Sequence, residues 1–183
     1  VLHYDATAPT GVTATPARGP DHAGWYNHSL RVNWSGSDAL SGIASCSAST
    51  YSGPDDANAS ASGNCTDAAG NVATVALPFQ YDANGPAVTV SAARDPDHAG
   101  WYNRPVDISW SGTDPVSGVA SCSGEVAPGA PIDTSWPGYH SFTAWGGDRA
   151  GNVGGVWTEY AVSNGFCTAA NPGLKAWWRM ADD

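Results

Sequence analysis

Apolar and polar positions alternate in short runs along this chain. Leu30, Val32 and Trp34 alternate with Arg31, Asn33 and Ser35, and Val106, Ile108 and Trp110 alternate with Asp107, Ser109 and Ser111. A period of two is that of a strand with one wet face and one buried face. It sends Trp34 and Trp110 inward, into the core. No helical stripe of useful length interrupts the pattern. Turn signals punctuate it instead: RGPD, SGSDALSG, YSGPDD and DAAGN. They recur about every ten residues, the spacing of a β-sandwich built from short strands.

The chain also repeats itself. PDHAGWYN occurs at Pro20–Asn27 and again at Pro96–Asn103. The match extends from RGPDHAGWYNHSLRVNWSGSDALSGIASCS to RDPDHAGWYNRPVDISWSGTDPVSGVASCS. Upstream, YDATAP pairs with YDANGP; downstream, DAAGNV pairs with DRAGNV. A period of about 77 residues defines two units that each bury their own core. Residues 5–81 form the first expected module and 82–163 the second. Residues 1–4 read as the last strand of a preceding repeat, because LPFQYD closes the first module in the same way. Residues 164–183 break the repeat and form a tail, or the start of a further domain.

These motifs carry a resemblance. The ordered set YDATAPT, GWYN, VNWSGSDALSGIASC and CTDAAGNV resembles the immunoglobulin-like or fibronectin-III-like repeats found in tandem on large secreted and surface proteins of bacteria. The resemblance covers both modules. It implies two tandem immunoglobulin-like β-sandwiches joined by a short linker, in an extracellular, cell-surface protein. It also implies that Cys46 and Cys65 lie on neighbouring strands and pair. A bridge there contributes about 3 kcal/mol in the chain-entropy model. In the second module Cys122 is kept, but Gly146 stands where Cys65 would be. Two readings stay open: Cys122 pairs with Cys167, or Cys122 is free and Cys167 pairs elsewhere. Phe142 and Ala144 share inward parity with Gly146. Trp145, beside the lost cysteine, points outward and supplies aromatic surface in place of the bridge.

In a sandwich of this order, the N-terminal linker, one inter-strand loop and the last hairpin tip meet at one pole. Asp5, Asp38 and Asp67 occupy those places in the first module, and Asp82, Asp114 and Asp148 in the second. Converging carboxylates repel unless something neutralises them. One reading is a calcium ion at each module junction, since calcium takes carboxylate oxygens. The other is that each Asp caps its own turn through side-chain-to-backbone bonds. PDHAGWYN has two readings as well. The Trp–Tyr pair stacks on a sugar, or it covers the open end of the sandwich while Asn27 fixes the turn. Its presence in both copies favours the second. Adjacent Asp21 and His22 point opposite ways in an extended segment and do not share a metal.

Charge and composition narrow the function. The net charge is −10 and Lys175 is the only lysine, so nucleic acid is not an expected partner. No apolar run reaches the ~20 residues that span a bilayer, so no membrane insertion is expected. None of the five histidines lies in a nucleophile or metal motif, and Glu125 and Glu159 are the only glutamates. The expectation is a non-enzymatic protein. Nine tryptophans set it apart from disordered chains. Trp136, Trp145 and Trp157 occur only in the second module, and Trp177 and Trp178 only in the tail; outward tryptophans serve sugars or protein partners. The tail run NPGLKAWWRMADD resembles the opening of laminin-G or concanavalin-like domains. Three functions follow as expectations. The first is a spacer or adhesion module whose partners are neighbouring repeats. The second is a glycan-binding accessory region of a secreted hydrolase. The third is a fibre subunit that joins identical subunits by strand exchange through the tail.

Overall fold

The computed structural model describes residues 2–163. Among the described residues there is no helix, and the strands fall into two sets of seven. The first set is β1 (Thr10–Pro16), β2 (Trp25–Tyr26), β3 (Leu30–Ser37), β4 (Ile43–Cys46), β5 (Ala48–Tyr51), β6 (Asp56–Asp67) and β7 (Val72–Tyr81). The second set is β8 (Ala87–Ala92), β9 (Trp101–Tyr102), β10 (Asp107–Thr113), β11 (Val119–Gly124), β12 (Ala130–Pro131), β13 (Gly138–Asp148) and β14 (Val153–Val162). Residues 2–9 form no strand.

In the first repeat a three-stranded sheet, β1-β3-β5, packs on a four-stranded sheet, β2-β7-β6-β4. Leu30, Val32 and Trp34 enter the core from β3; Ala59, Ala61 and Cys65 enter it from β6; Val75, Leu77 and Phe79 line it from β7. This is the expected alternation, and it makes the fold an all-β sandwich. The buried Trp34 indole N–H donates to the Val75 carbonyl at 2.9 Å, so its one polar group is satisfied. Its ring lies on Gly63, where a β-carbon would come within 2.3 Å.

The second repeat has sheets β12-β10-β8 and β11-β13-β14-β9. Its core is separate and gathers Tyr102, Val106, Ile108, Ile132, Phe142 and Ala144. Trp110 is half-buried against that core, with Gly124 beneath it; its indole N–H donates to the Val126 carbonyl at 2.9 Å. By contacts the chain divides into two compact units. One is built from residues 2–87 with Gly112–Cys122 and Gly146–Gly154; the other is built from Val88–Ser111, Ser123–Trp145 and residues 155–163.

Cys46 and Cys65 are register partners on β4 and β6 and form a disulfide. It lies within one sheet. Cys122 is half-buried and unbridged among the described residues, with its sulfur turned to Gly112. Cys167 lies outside the described residues. Where the first core has Ala61, Gly63 and Cys65, the second has Phe142, Ala144 and Gly146. The buried aromatic of this strand is therefore Phe142, 1% exposed, while Trp145 is 46% exposed on the other face.

Candidate functional site

Each PDHAGWYN segment is a corner between two strands of the three-stranded sheet. After β1 the chain crosses to the other sheet, where Trp25 and Tyr26 pair in parallel with Gln80 and Tyr81. It then returns as β3. Asp21 closes the corner by accepting the Asn27 main-chain N–H at 2.9 Å and the Arg18 guanidinium at 2.6 Å. Arg18 also lies over the Tyr26 ring, 5.1 Å from its centre. Asp97, Asn103, Arg94 and Tyr102 repeat the arrangement, and Arg104 adds a second guanidinium to Asp97. Asp97 is held down to about 2 by the Asn103 N–H, against burial, with help from Arg104 and Arg94. Asp21 is also lowered: burial raises it, but Arg18 and the Asn27 N–H outweigh burial. The turn is thus fixed by the aspartate rather than by the Asn27 side chain, which points elsewhere. Ala23 and Ala99 both take the left-handed φ of 46°, a strained conformation held alike in both copies.

The six aspartates form two clusters. Asp5, Asp38 and Asp67 bring carboxylate oxygens within 4.8 Å of one another, and so do Asp82, Asp114 and Asp148. Asp67, Asp82 and Asp148 are buried. Donors surround these oxygens. Asp38 Oδ1 accepts main-chain N–H groups from Leu40, Ser41 and Gly42 at 3.1, 2.8 and 3.0 Å. Asp5 accepts the Thr7 N–H at 2.9 Å and the Ser41 N–H at 3.1 Å. Ser41 donors, then Thr7, lower the Asp5 carboxyl. Burial pushes Asp67 up, but the Asn71 donors outweigh it and the carboxyl ends below its ordinary range.

Two residues outside the carboxylate set complete the lock. Asn71 Nδ2 reaches Asp67 Oδ2 at 2.8 Å and the carbonyls of Asp5 and Thr7 at 3.3 Å. Asn152 Nδ2 reaches Asp148 Oδ2 at 2.8 Å and the carbonyls of Asp82 and Asn84 at 2.9 and 3.2 Å. Ser117 N–H donates to Asp82 as Ser41 N–H does to Asp5. The amide therefore ties the linker to the hairpin tip at each pole. Its signal was the final Asn of the repeated D-x-A-G-N block. Chemically, each pole offers a ring of carboxylate oxygens suited to a hard cation, and a set of N–H donors that already shares the charge.

Trp136, Trp145 and Trp157 are exposed, as is Tyr139. Along β13 and β14 the outward residues include Tyr139, Trp145, Trp157 and Glu159. A concavity of 480 Å³ runs past Asp133, Tyr139, His140, Trp157, Glu159 and Tyr160. The His140 and Tyr160 rings stack at 5.2 Å. None of the corresponding outward positions of β6 and β7 is aromatic; they include Asn58, Ser60, Ser62, Asn64, Thr74, Ala76 and Gln80. Trp177 and Trp178 lie outside the described residues.

No protein-family model matches the chain, and neither does any curated protein or solved structure compared with it. What the fold defines is an all-β protein of sandwich type with a cross-strand disulfide. A formed disulfide fits an oxidising environment.

Proposed function

We propose that this chain is a non-enzymatic structural segment of an extracellular, cell-surface protein: two tandem immunoglobulin-like modules that space and present other parts. The observation that supports this reading is the lock at each pole. In both repeats an Asn and an Asp–Ser pair bond the incoming linker to two loops, so pulling on the linker loads the folded sheets. Single-molecule extension of the chain tests it. Two separate unfolding events are expected. Reduction lengthens one of them by the 19-residue span closed by Cys46–Cys65, about 65 Å at ~3.5 Å per residue. One event spanning the whole chain would remove the two-module spacer. Calcium at the poles belongs to the same reading, and equal melting midpoints with calcium and with chelator would remove it.

The aromatic face favours a second reading, a glycan-binding accessory region. Tyr139, Trp145 and Trp157 share one exposed sheet face in the second repeat, and the first repeat has no aromatic there. A glycan array that shows no signal, or signal unchanged by Trp157→Ala, excludes it.

A further inference from the structure

We propose that the corner at His98 and Asn103 is a docking site for the Asp67–Asn71 turn of a second copy of this chain. The two copies then join head to tail through the same bonds that one corner and one turn already make inside the first unit.

That internal example defines the recognition. His22 Nδ1 donates to the Arg149 carbonyl at 3.0 Å, and Asn27 Nδ2 donates to the Ala150 carbonyl at 2.9 Å. Gly151 lies so close that a β-carbon there would sit 3.1 Å from His22 Cβ. Ala150 is fully buried. All of these residues belong to the first compact unit. Both recognised groups are main-chain carbonyls. The side chain at the second turn position is therefore not read, while the third must be small.

The unused corner is built alike. Its eight residues are identical to those of the first. Trp101 N–H to the His98 carbonyl measures 2.8 Å, against 2.7 Å for Trp25 to His22. Asn103 N–H to Asp97 and Asn27 N–H to Asp21 both measure 2.9 Å. Ala99 and Ala23 share a φ of 46°. His98 and Asn103 are exposed, and their side chains make no hydrogen bond among the described residues. A β-carbon on Gly100 would meet nothing within 4 Å.

The unused turn is built alike too. Asp67 N–H to the Asn71 carbonyl and Asp148 N–H to the Asn152 carbonyl both measure 3.1 Å. Gly70 has φ 92° and Gly151 φ 88°. Ala69 stands where Ala150 does, and Ala68, Ala69 and Gly70 are exposed. Among the described residues, one corner and one turn are without such a partner. Such a pair is heterologous and propagates rather than closing into a two-fold dimer. The contact is far smaller than a standard interface, so the expected dissociation constant is on the order of 1 mM.

Amide NMR spectra of the full ¹⁵N-labelled chain, from ~0.05 to ~2 mM, test the proposal across that range. Concentration-dependent shifts are expected at residues 98–103 and 68–71 together, with residues 22–27 and 149–151 unchanged. His98→Ala with Asn103→Ala should abolish both sets. Ala69→Gln, at an exposed position, should abolish them equally, with the remaining amide shifts unchanged. Spectra independent of concentration overturn the proposal. So do shifts at the corner without shifts at the turn, which assign the corner to a different occupant. Either result leaves the spacer reading standing, because that reading is decided by unfolding under force.

Discussion

Asp97 shows how much of this fold rests on single carboxylates. Its ordinary value is 3.8, and the folded corner lowers it to about 2, first through the Asn103 N–H and then through Arg104 and Arg94, against burial. A group depressed in the folded state stabilises in full above its unfolded value. That contribution is lost as pH falls through the folded value. The window for Asp97 therefore runs from about pH 4 down to about pH 2. Asp5, Asp21, Asp67 and Asp133 are also lowered and share the acid sensitivity. Thermal midpoints measured from pH 6 to pH 2 should fall steeply below pH 4. Asp97→Asn should lower the midpoint at pH 6 and flatten part of the acid slope. A slope identical to wild type would mean that the Asp97 bonds are already broken in solution.

At the scale of the strand, glycine and tryptophan are matched across the sandwich. Trp34 rests on Gly63 of β6, where a β-carbon would lie 2.3 Å from the ring and 2.5 Å from Ser47 Oγ. Gly63→Ala should destabilise the chain by about 2 kcal/mol, because a packed core has no room for an added methyl. Urea denaturation reads it, and an unchanged midpoint would place the Trp34 ring elsewhere. The second repeat carries Ala144 at the corresponding position and seats Trp110 against Gly124 instead. Pattern alone put Trp34, Trp110, Phe142 and Ala144 on the inner face, because strand parity is local. It did not show which glycine each ring would need, since that depends on the facing sheet. The same limit explains the poles. The aspartates were legible as three loops meeting at one end, while Asn71, Asn152, Ser41 and Ser117 were not singled out. Their partners are main-chain groups, which carry no sequence signal. At the corners the pattern has Asn27 fix its own turn, whereas Asp21 does so and the Asn27 amide reaches the Ala150 carbonyl.

For the whole molecule, the question is whether two cores make two stabilities. The first gathers residues from Tyr26 to Tyr81 and the second residues from Tyr102 to Ala144, with no buried residue in common. Among the described residues only the first carries a disulfide, within one of its sheets; the second buries Phe142 where the first has Ala61. Closing a loop of this length restricts the unfolded chain by about 3 kcal/mol, so reduction should raise the unfolded fraction of that core about 100-fold. Packing by Phe142 has no such redox dependence. Hydrogen exchange of the full chain, with and without reductant, separates the two. Amides of Val32 and Ala61 should exchange about 100-fold faster on reduction, and those of Ile108 and Phe142 should keep their rates. Equal acceleration at all four would mean that the cores unfold as one cooperative body. The repeat would then be a record of duplication without mechanical independence.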